Sequence, residues 1–276
     1  MHQNQDLNSS LLPKTRRAIL GELFKYHKGL LFNMGLILLL FSLPLIGVNL
    51  WFNIIIEHIS LQDLNDSTKY QEVFSALNWK NILYLPAALI FGIGLSGVIQ
   101  ILHRQIWSED IIIKADFKKC VKSNYLVVAI TLSIMCLLNF LLQYLLYLNT
   151  NNTSNYKIAL GIVIALCVLL APIVIFMWSS SIIYKLPLFG HLKNSILFTV
   201  RKFYITYPLG ILNIALIMLI DLPIPYITYI CFFLLPLVIG PIILCINMLY
   251  CDSVFDEFIN HEHFPEIYRK GMQKDE

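Results

Sequence analysis

The chain has 276 residues, of which 58% are hydrophobic and only 13% are charged, and its formal net charge is +3. A soluble domain carries about 25% charged residues, so this composition excludes an ordinary soluble protein. The modest net charge gives no support for a nucleic-acid-binding surface. The six cysteines have no CxxC spacing and none lies in a predicted external loop. That pattern argues against a disulfide framework and against metal binding by cysteine.

Six windows without acidic, basic or histidine residues can each supply the roughly 17 to 25 residues of a membrane-spanning helix. They are 29–56, 81–102, 123–156, 158–184, 203–220 and 222–251. Their apolar runs are continuous rather than alternating, which favours helices over a β-barrel. We therefore predict an all-α polytopic membrane protein with six transmembrane helices and amphipathic helices in its cytoplasmic loops.

The Lys and Arg residues are distributed unevenly between the two sides of these spans. Only Lys69, Lys80 and Lys157 fall on one side. The other seventeen are Lys14, Arg16, Arg17, Lys25, Lys28, Arg104, Lys114, Lys118, Lys119, Lys122, Lys185, Lys193, Arg201, Lys202, Arg269, Lys270 and Lys274. By the positive-inside rule, both termini are predicted to be cytoplasmic. The predicted division is a cytoplasmic amino-terminal arm at 1–27, a membrane domain at 28–251 and a cytoplasmic amphipathic tail at 252–276.

After the first span, residues 57–80 are predicted to form a long external loop with a short amphipathic helix through Tyr70 and Leu77. The second span contains GIGLSG at 92–97, which fits the GxGxxG pattern of dinucleotide-binding loops. That fold needs a preceding strand and a loop in water, whereas these glycines lie in an apolar helix. Close helix packing by small residues is the better interpretation.

The second loop is predicted to form an amphipathic helix with Ile113, Phe117, Cys120 and Val121 on one face. Four lysines surround the other face: Lys114, Lys118, Lys119 and Lys122. Two interpretations remain open, a helix lying at the cytoplasmic interface and a docking surface for a soluble partner.

The fourth loop repeats this pattern and suggests an internal repeat. Its predicted apolar stripe consists of Phe189, Leu192, Ile196, Val200 and Phe203, with Lys193, Arg201 and Lys202 off the stripe. Asp221 falls between the fifth and sixth spans, where it is either exposed at a helix end or an ion-coupling carboxylate. In the tail, His261 and His263 lack the spacing of a helical zinc pair.

The spans offer amides and hydroxyls rather than converging ionisable groups: Asn33, Asn49, Gln100, Thr131, Asn139, Gln143, Asn213 and Asn247. In hydrocarbon such groups form interhelical hydrogen bonds, or they line a path for a neutral solute, and these two uses remain open. No Walker, HExxH or GxSxG motif occurs. We therefore predict no enzymatic activity, no cofactor and no metal site.

The run LPAALIFGIGLSGVIQILHRQIWSEDIIIKADFKKCVKSNY at 85–125 resembles the YesL-like family of bacterial membrane proteins, a domain family of unknown function. The matching positions are Gly94, Gly97, Arg104, Glu109, Asp110, Asp116, Phe117, Lys122 and Asn124. Residues 32–47 are similar to the family's first helix and 191–203 to its second basic loop, whereas the loop between the first two spans is longer here. The resemblance implies a bacterial plasma-membrane location and association with carbohydrate uptake and utilisation systems. It brings no catalytic or ligand-binding residues.

We therefore expect a non-enzymatic accessory protein of a carbohydrate uptake system, in contact with the lipid bilayer and with an ABC-type sugar transporter or another membrane subunit. The candidate partner-contact residues are Arg104, Asp116, Phe117, Lys118, Lys119, Lys122 and Asn124. The alternative is a transporter or permease subunit that moves a small neutral solute.

Overall fold

A computed structural model of the chain describes residues 12–63, 65–150, 156–218 and 225–273. Within these ranges the secondary structure is helical and contains no strands. The helices, in chain order, are α1 (Arg16–Tyr26), α2 (Lys28–Leu61), α3 (Asp66–Ile106), α4 (Ile113–Thr150), α5 (Tyr156–Ile183), α6 (Leu188–Arg201), α7 (Phe203–Met218), α8 (Pro225–Leu234), α9 (Gly240–Phe255) and α10 (His261–His263). Two π-helical turns, Leu235–Ile239 and Asp256–Asn260, join the last three helices into one long rod.

Five of the described helical segments are long and apolar enough to cross a membrane, which confirms the predicted all-α polytopic membrane fold. They are α2, α3, α4, α5 and the part of the rod from Ile230 to His263. The remaining predicted span corresponds to α7, an apolar helix whose described part has 16 residues. Asp221 lies outside the described residues.

The arm and the tail meet at one end of the helix bundle. The backbone N–H of Gln273 donates to the Pro13 carbonyl at 3.1 Å. The Arg16 guanidinium reaches the Lys270 carbonyl at 3.2 Å. Both ends of the described chain therefore lie on the same side of the bundle. A chain that crosses a membrane an even number of times has its ends arranged in this way. We call this side of the bundle the terminal end.

Helices α2 and α3 are longer than the sequence predicts, so the predicted 57–80 loop is wrong in extent. Helix α2 continues to Leu61 and α3 begins at Asp66, which leaves a connection at 62–65. Tyr70 and Leu77 belong to α3 rather than to a separate loop helix. With 41 residues, α3 is roughly 60 Å long. It therefore extends well beyond the roughly 30 Å hydrocarbon core.

Helix α3 lies at the centre of the larger hydrophobic core. Its residues Val98, Ile101 and Leu102 are fully buried against α2 and α9. A Cβ atom at Gly94 would come within 2.5 Å of the Phe41 side chain on α2, and one at Gly97 would overlap the Phe117 ring on α4. The predicted role of these small residues in close helix packing is confirmed.

A second core cluster joins α5, α6 and α9 at the terminal end. Phe176, Phe198 and Phe255 pack there with ring centroids 5.4 to 6.0 Å apart. Aromatic pairs at this spacing contribute beyond their buried area. The cluster fixes α6 against the bundle and determines which face of α6 points outward.

Both predicted loop helices form, in different arrangements. The second-loop helix is the first part of α4 and is continuous with its membrane span. The fourth-loop helix is the separate helix α6, but its predicted apolar stripe is largely exposed, as at Phe189, Ile196 and Val200. Its buried side chains are His191, Ser195, Phe198 and Thr199.

Candidate functional site

The turn between α3 and α4 is held by a charge cluster around Arg104. The guanidinium pairs with the Asp116 carboxylate, and its Nε donates to Glu109 Oε2 at 3.0 Å. Asp116 is 5% exposed, and its second oxygen accepts from the backbone N–H of Ile112 at 2.8 Å. A carboxylate at a helix start satisfies a free N–H group and interacts favourably with the helix dipole. Asp116 therefore stabilises the first turn of α4 and also ties this helix to α3.

Below this turn, the inner face of α4 fits closely against its neighbours. Phe117 lies against Gly97 of α3, and the Cys120 thiol donates to the Ser96 carbonyl at 2.9 Å. With its amide nitrogen turned toward α5, Asn124 donates to the Ser181 carbonyl at 2.9 Å. The inner face thus has little freedom to rotate.

The structure divides the seven candidate partner-contact residues into two groups. Arg104, Asp116, Phe117 and Asn124 face inward and hold α4 in place. Lys118, Lys119 and Lys122 are exposed. Together with Lys114 these lysines form what we call the α4 basic face, which is defined by Lys114, Lys118, Lys119 and Lys122. Residues 114, 118 and 122 are four apart and so lie above one another on the helix surface.

A second charge cluster ties the arm to the long carboxy-terminal rod at Asp252. This buried carboxylate accepts from Trp107 Nε1 at 3.1 Å and lies 3.7 Å from Arg16 Nη1. Its other oxygen lies 3.6 Å from His103 Nε2, and neither of those two atoms has a hydrogen-bond partner. Three segments that are distant in sequence therefore meet at one acidic side chain.

The π-helical turn Asp256–Asn260 extends this cluster. Arg16 Nη2 donates to Asp256 Oδ2 at 2.6 Å, and Asn260 donates to Asp256 Oδ1 at 2.8 Å. The Tyr184 hydroxyl donates to Asn260 Oδ1 at 2.5 Å. Burial raises the pKa of Tyr184, and the carboxylates Asp252 and Asp256 raise it further. Tyr184 therefore acts as a neutral donor at physiological pH.

The tail packs against the α3–α4 turn through Lys270. Lys270 Nζ lies 2.5 Å from Glu109 Oε1 and 4.5 Å from the centroid of the Trp107 ring, within range of a cation–π interaction. Burial raises the pKa of Glu109, but the hydrogen bond and charge of Lys270 and the charge of Arg104 outweigh that effect. The pKa of Glu109 is therefore lower than its ordinary value. Gly271 has a φ of +79° and packs against the Ile106 carbonyl, where a Cβ atom would overlap.

Two pairs of polar side chains in the membrane-spanning region bond to one another, whereas the buried Gln143 Oε1 has no hydrogen-bond partner among the described residues. Asn213 of α7 and Asn247 of α9 exchange two hydrogen bonds, of 3.3 and 2.9 Å. Trp178 Nε1 of α5 donates to Thr131 Oγ1 of α4 at 2.8 Å. A cavity of about 10 Å³ beside Asn247 has room for about one water molecule. The Asn213–Asn247 and Trp178–Thr131 contacts are interhelical hydrogen bonds.

Neither of the remaining candidate sites, an apolar groove and a metal centre, contains a cluster of ionisable groups among the described residues. An open apolar groove of about 500 Å³ runs between α2 and α3 near Trp79, at the end of the bundle opposite the termini. Within 12–63, 65–150, 156–218 and 225–273, no group of three or more His, Cys, Asp or Glu side chains could hold a metal ion. All six cysteines are free thiols.

Sequence reasoning missed the cluster around Asp252. Its partners are separated by more than a hundred residues, as in the Trp107–Asp252 pair, and a single sequence gives no pairing information at that distance. One signal was available, because Asp252, Asp256 and Asn260 are spaced by four residues and share one helix face.

No family model, curated protein or solved structure matches this chain. The geometry of the described residues is therefore the main basis for a functional proposal, and the YesL-like resemblance stays a prediction.

Proposed function

We propose that this protein is a non-enzymatic accessory subunit of a membrane uptake system and that it docks an acidic partner on the α4 basic face. The observation that carries this proposal is the contrast between the two faces of one helix. Asp116 and Phe117 fix the inner face, while Lys114, Lys118 and Lys122 project outward in a row. A rigid helix that presents ordered positive charge suits electrostatic recognition, which governs association rate and specificity.

The orientation and the partner system are parts of the same proposal. The excess of Lys and Arg at the terminal end supports a cytoplasmic location for that end. The resemblance to the YesL-like family supports a bacterial plasma membrane and a carbohydrate uptake or utilisation system. On this proposal, the partner is a subunit of an ABC-type sugar transporter or another membrane subunit with an acidic surface.

The alternative, a transporter or permease subunit for a small neutral solute, has less support. It would use the intramembrane amides to line a path. Asn213 and Asn247 instead satisfy each other, and Trp178 satisfies Thr131. Proteoliposomes containing the purified chain are expected to show no more solute flux than empty vesicles.

Affinity purification from native membranes in mild detergent tests the docking proposal. The wild-type chain is compared with K118E/K119E/K122E and with the control R17E/K25E/K28E, which reverses three exposed charges on or next to α1. We expect an uptake-system subunit to co-purify with the wild type and the control, and to be depleted more than tenfold by the α4 reversal. High salt should also reduce its recovery. Absence of any such subunit, or equal recovery with both variants, would refute the proposal.

A further inference from the structure

Helix α6 buries its polar face and exposes its apolar face. A helix on the surface of a water-soluble protein does the reverse. Its polar side chains His191, Ser195 and Thr199 are 3%, 1% and 1% exposed. On the opposite side, Phe189 is 82% exposed and Val200 is 64% exposed. A helix surrounded by water would bury the second set rather than the first.

His191 and Phe198 hold the buried face of α6, whereas Ser195 Oγ and Thr199 Oγ1 are buried without a hydrogen-bond partner among the described residues. Ser180 Oγ and His191 Nδ1 lie 2.9 Å apart in a hydrogen bond between α5 and α6. Burial lowers the pKa of His191, so the imidazole is neutral there. Phe198 packs with Phe176 and Phe255 in the same contact. The outward position of the apolar face is therefore fixed by the fold.

The outward face is continuous with membrane-facing surface. Only Lys202 separates α6 from α7, and the first turn of α7 exposes Phe203, Tyr204 and Ile205. Helix α6 has 14 residues, so it is roughly 21 Å long. A helix tied this closely to a membrane-spanning helix lies at the level where that helix leaves the bilayer.

The charges around α6 are positive. Lys185 and Arg201 are exposed near its two ends, with Arg201 also over the Phe258 ring, and Lys193 is exposed among the apolar side chains one turn after Phe189. Lys202 pairs with Glu257 at 2.8 Å. An exposed apolar face with basic residues at its ends and one long lysine within it is compatible with a helix that lies in the membrane interface and contacts anionic lipids.

We propose that α6 lies in the plane of the membrane at the terminal end, with Phe189, Ile196 and Val200 among the acyl chains of anionic phospholipids. Lys193 then lies at the level of the phosphate groups, because a long side chain can extend its charge to the interface. This surface is separate from the α4 basic face, so neither proposal depends on the other.

Photo-crosslinking in proteoliposomes of phosphatidylglycerol and phosphatidylethanolamine tests this inference. The crosslinker p-benzoylphenylalanine replaces Phe189 or Val200 in the otherwise intact chain, and intact-mass measurement identifies the adducts. Leu126, exposed on the membrane span of α4, is the positive control, and Glu262, exposed in the last turn of the rod, is the negative control. We expect lipid adducts at 189 and 200 with yields near that at 126, and none at 262. Adducts with a second copy of the chain, or no lipid adduct, would overturn the inference.

The charge of Lys193 is tested separately in the same vesicles. The Lys193→Glu substitution is expected to lower the ratio of phosphatidylglycerol to phosphatidylethanolamine adducts at 189 by about fivefold for each unit of charge removed near the surface. The matched control Lys157→Glu, an exposed lysine at the other end of the bundle, should leave the ratio unchanged. An unchanged ratio in Lys193→Glu would show that the lipid contact is apolar only and would contradict the anionic part of the proposal.

Discussion

Asp116 shows how much of the site depends on one side chain. It pairs with Arg104 from the end of α3 and accepts the Ile112 N–H at the start of α4. The sequence predicted Asp116 as a candidate partner contact, but it predicted neither its role at the start of α4 nor the Arg104 partner. Pairing across the turn depends on the conformation of residues 107–112, which includes Ser108 at a φ of +54°. No local pattern encodes that conformation.

Asp116→Asn is therefore expected to destabilise the fold. It keeps the size of the side chain but removes the buried one of the two carboxylates that pair with Arg104, at a cost of about 1–3 kcal/mol in the free energy of unfolding. Thermal unfolding in detergent measures the change. Asp110→Asn makes the same chemical change at an exposed position six residues away and should have little effect. Equal effects of the two substitutions would contradict the assigned role of Asp116.

Glu109 gives the tail a defined response to pH. Its pKa is lower in the folded chain than in the unfolded chain. Its contribution to tail attachment is therefore fully present above the ordinary Glu pKa of about 4.3, and it is lost as the pH falls through the lowered value. We expect hydrogen exchange of residues 264–273, corrected for the intrinsic rate, to increase on acidification from pH 7 to pH 3. Glu109→Gln should show faster exchange at pH 7 and a smaller pH response. An identical response in both proteins would exclude Glu109 as the group responsible.

At the scale of the helices, the sequence predicted their existence better than their ends. Hydrophobic windows show where a helix crosses the hydrocarbon, but a helix continues into water wherever tertiary contacts support it. Helix α3 begins at Asp66 because Val73 and Ala76 pack on Phe52 and Ile59 of α2. For α6, the sequence predicted an amphipathic helix, but its buried face depends on the Phe176–Phe255 cluster, which assembles from distant segments.

Gly97 tests the packing of α3 against α4. A methyl group at this position would overlap the Phe117 ring. Gly97→Ala is therefore expected to cost about 1–3 kcal/mol through overpacking. Gly161→Ala in α5 is the matched control, because no atom lies within 4 Å of the added Cβ. Thermal unfolding of both variants, and of Gly97→Ala combined with Phe117→Leu, gives the measurement. The double variant should recover part of the loss, and no recovery would mean that Phe117 is not the obstacle.

The Asn213–Asn247 pair tests whether the intramembrane amides are structural. Each of Asn213→Leu and Asn247→Leu is expected to cost about 0.5–1.5 kcal/mol, because each substitution removes the same pair of hydrogen bonds. The double variant should cost no more than either single variant. Unfolding measurements on the three variants give the coupling energy. Additive costs, accompanied by a change in solute permeability, would instead favour the carrier alternative.

At the scale of the whole molecule, the terminal end brings together the arm, the α3–α4 turn, α6 and the tail. The contacts of Arg16 with Asp256 and of Lys270 with Glu109 join segments from the two ends of the sequence. The sequence predicted that both termini lie on one side, because charge distribution and an even number of spans agree. The network that closes this end could not be predicted, because it depends on the complete fold. The arm, the turn and the tail together form an ion-paired polar surface, and the α4 basic face is exposed beside it.

The most direct test of this account is photo-crosslinking from position 118 in native membranes, with p-benzoylphenylalanine in place of Lys118 and captured partners identified by mass spectrometry. We expect an adduct with a subunit of an uptake system and at least a tenfold lower yield of that adduct when Lys119 and Lys122 are changed to Glu. Crosslinking to phospholipid alone, or only to a second copy of the chain, would contradict it. The first outcome would mean that the α4 basic face lies on the membrane, and the second that the protein assembles with itself.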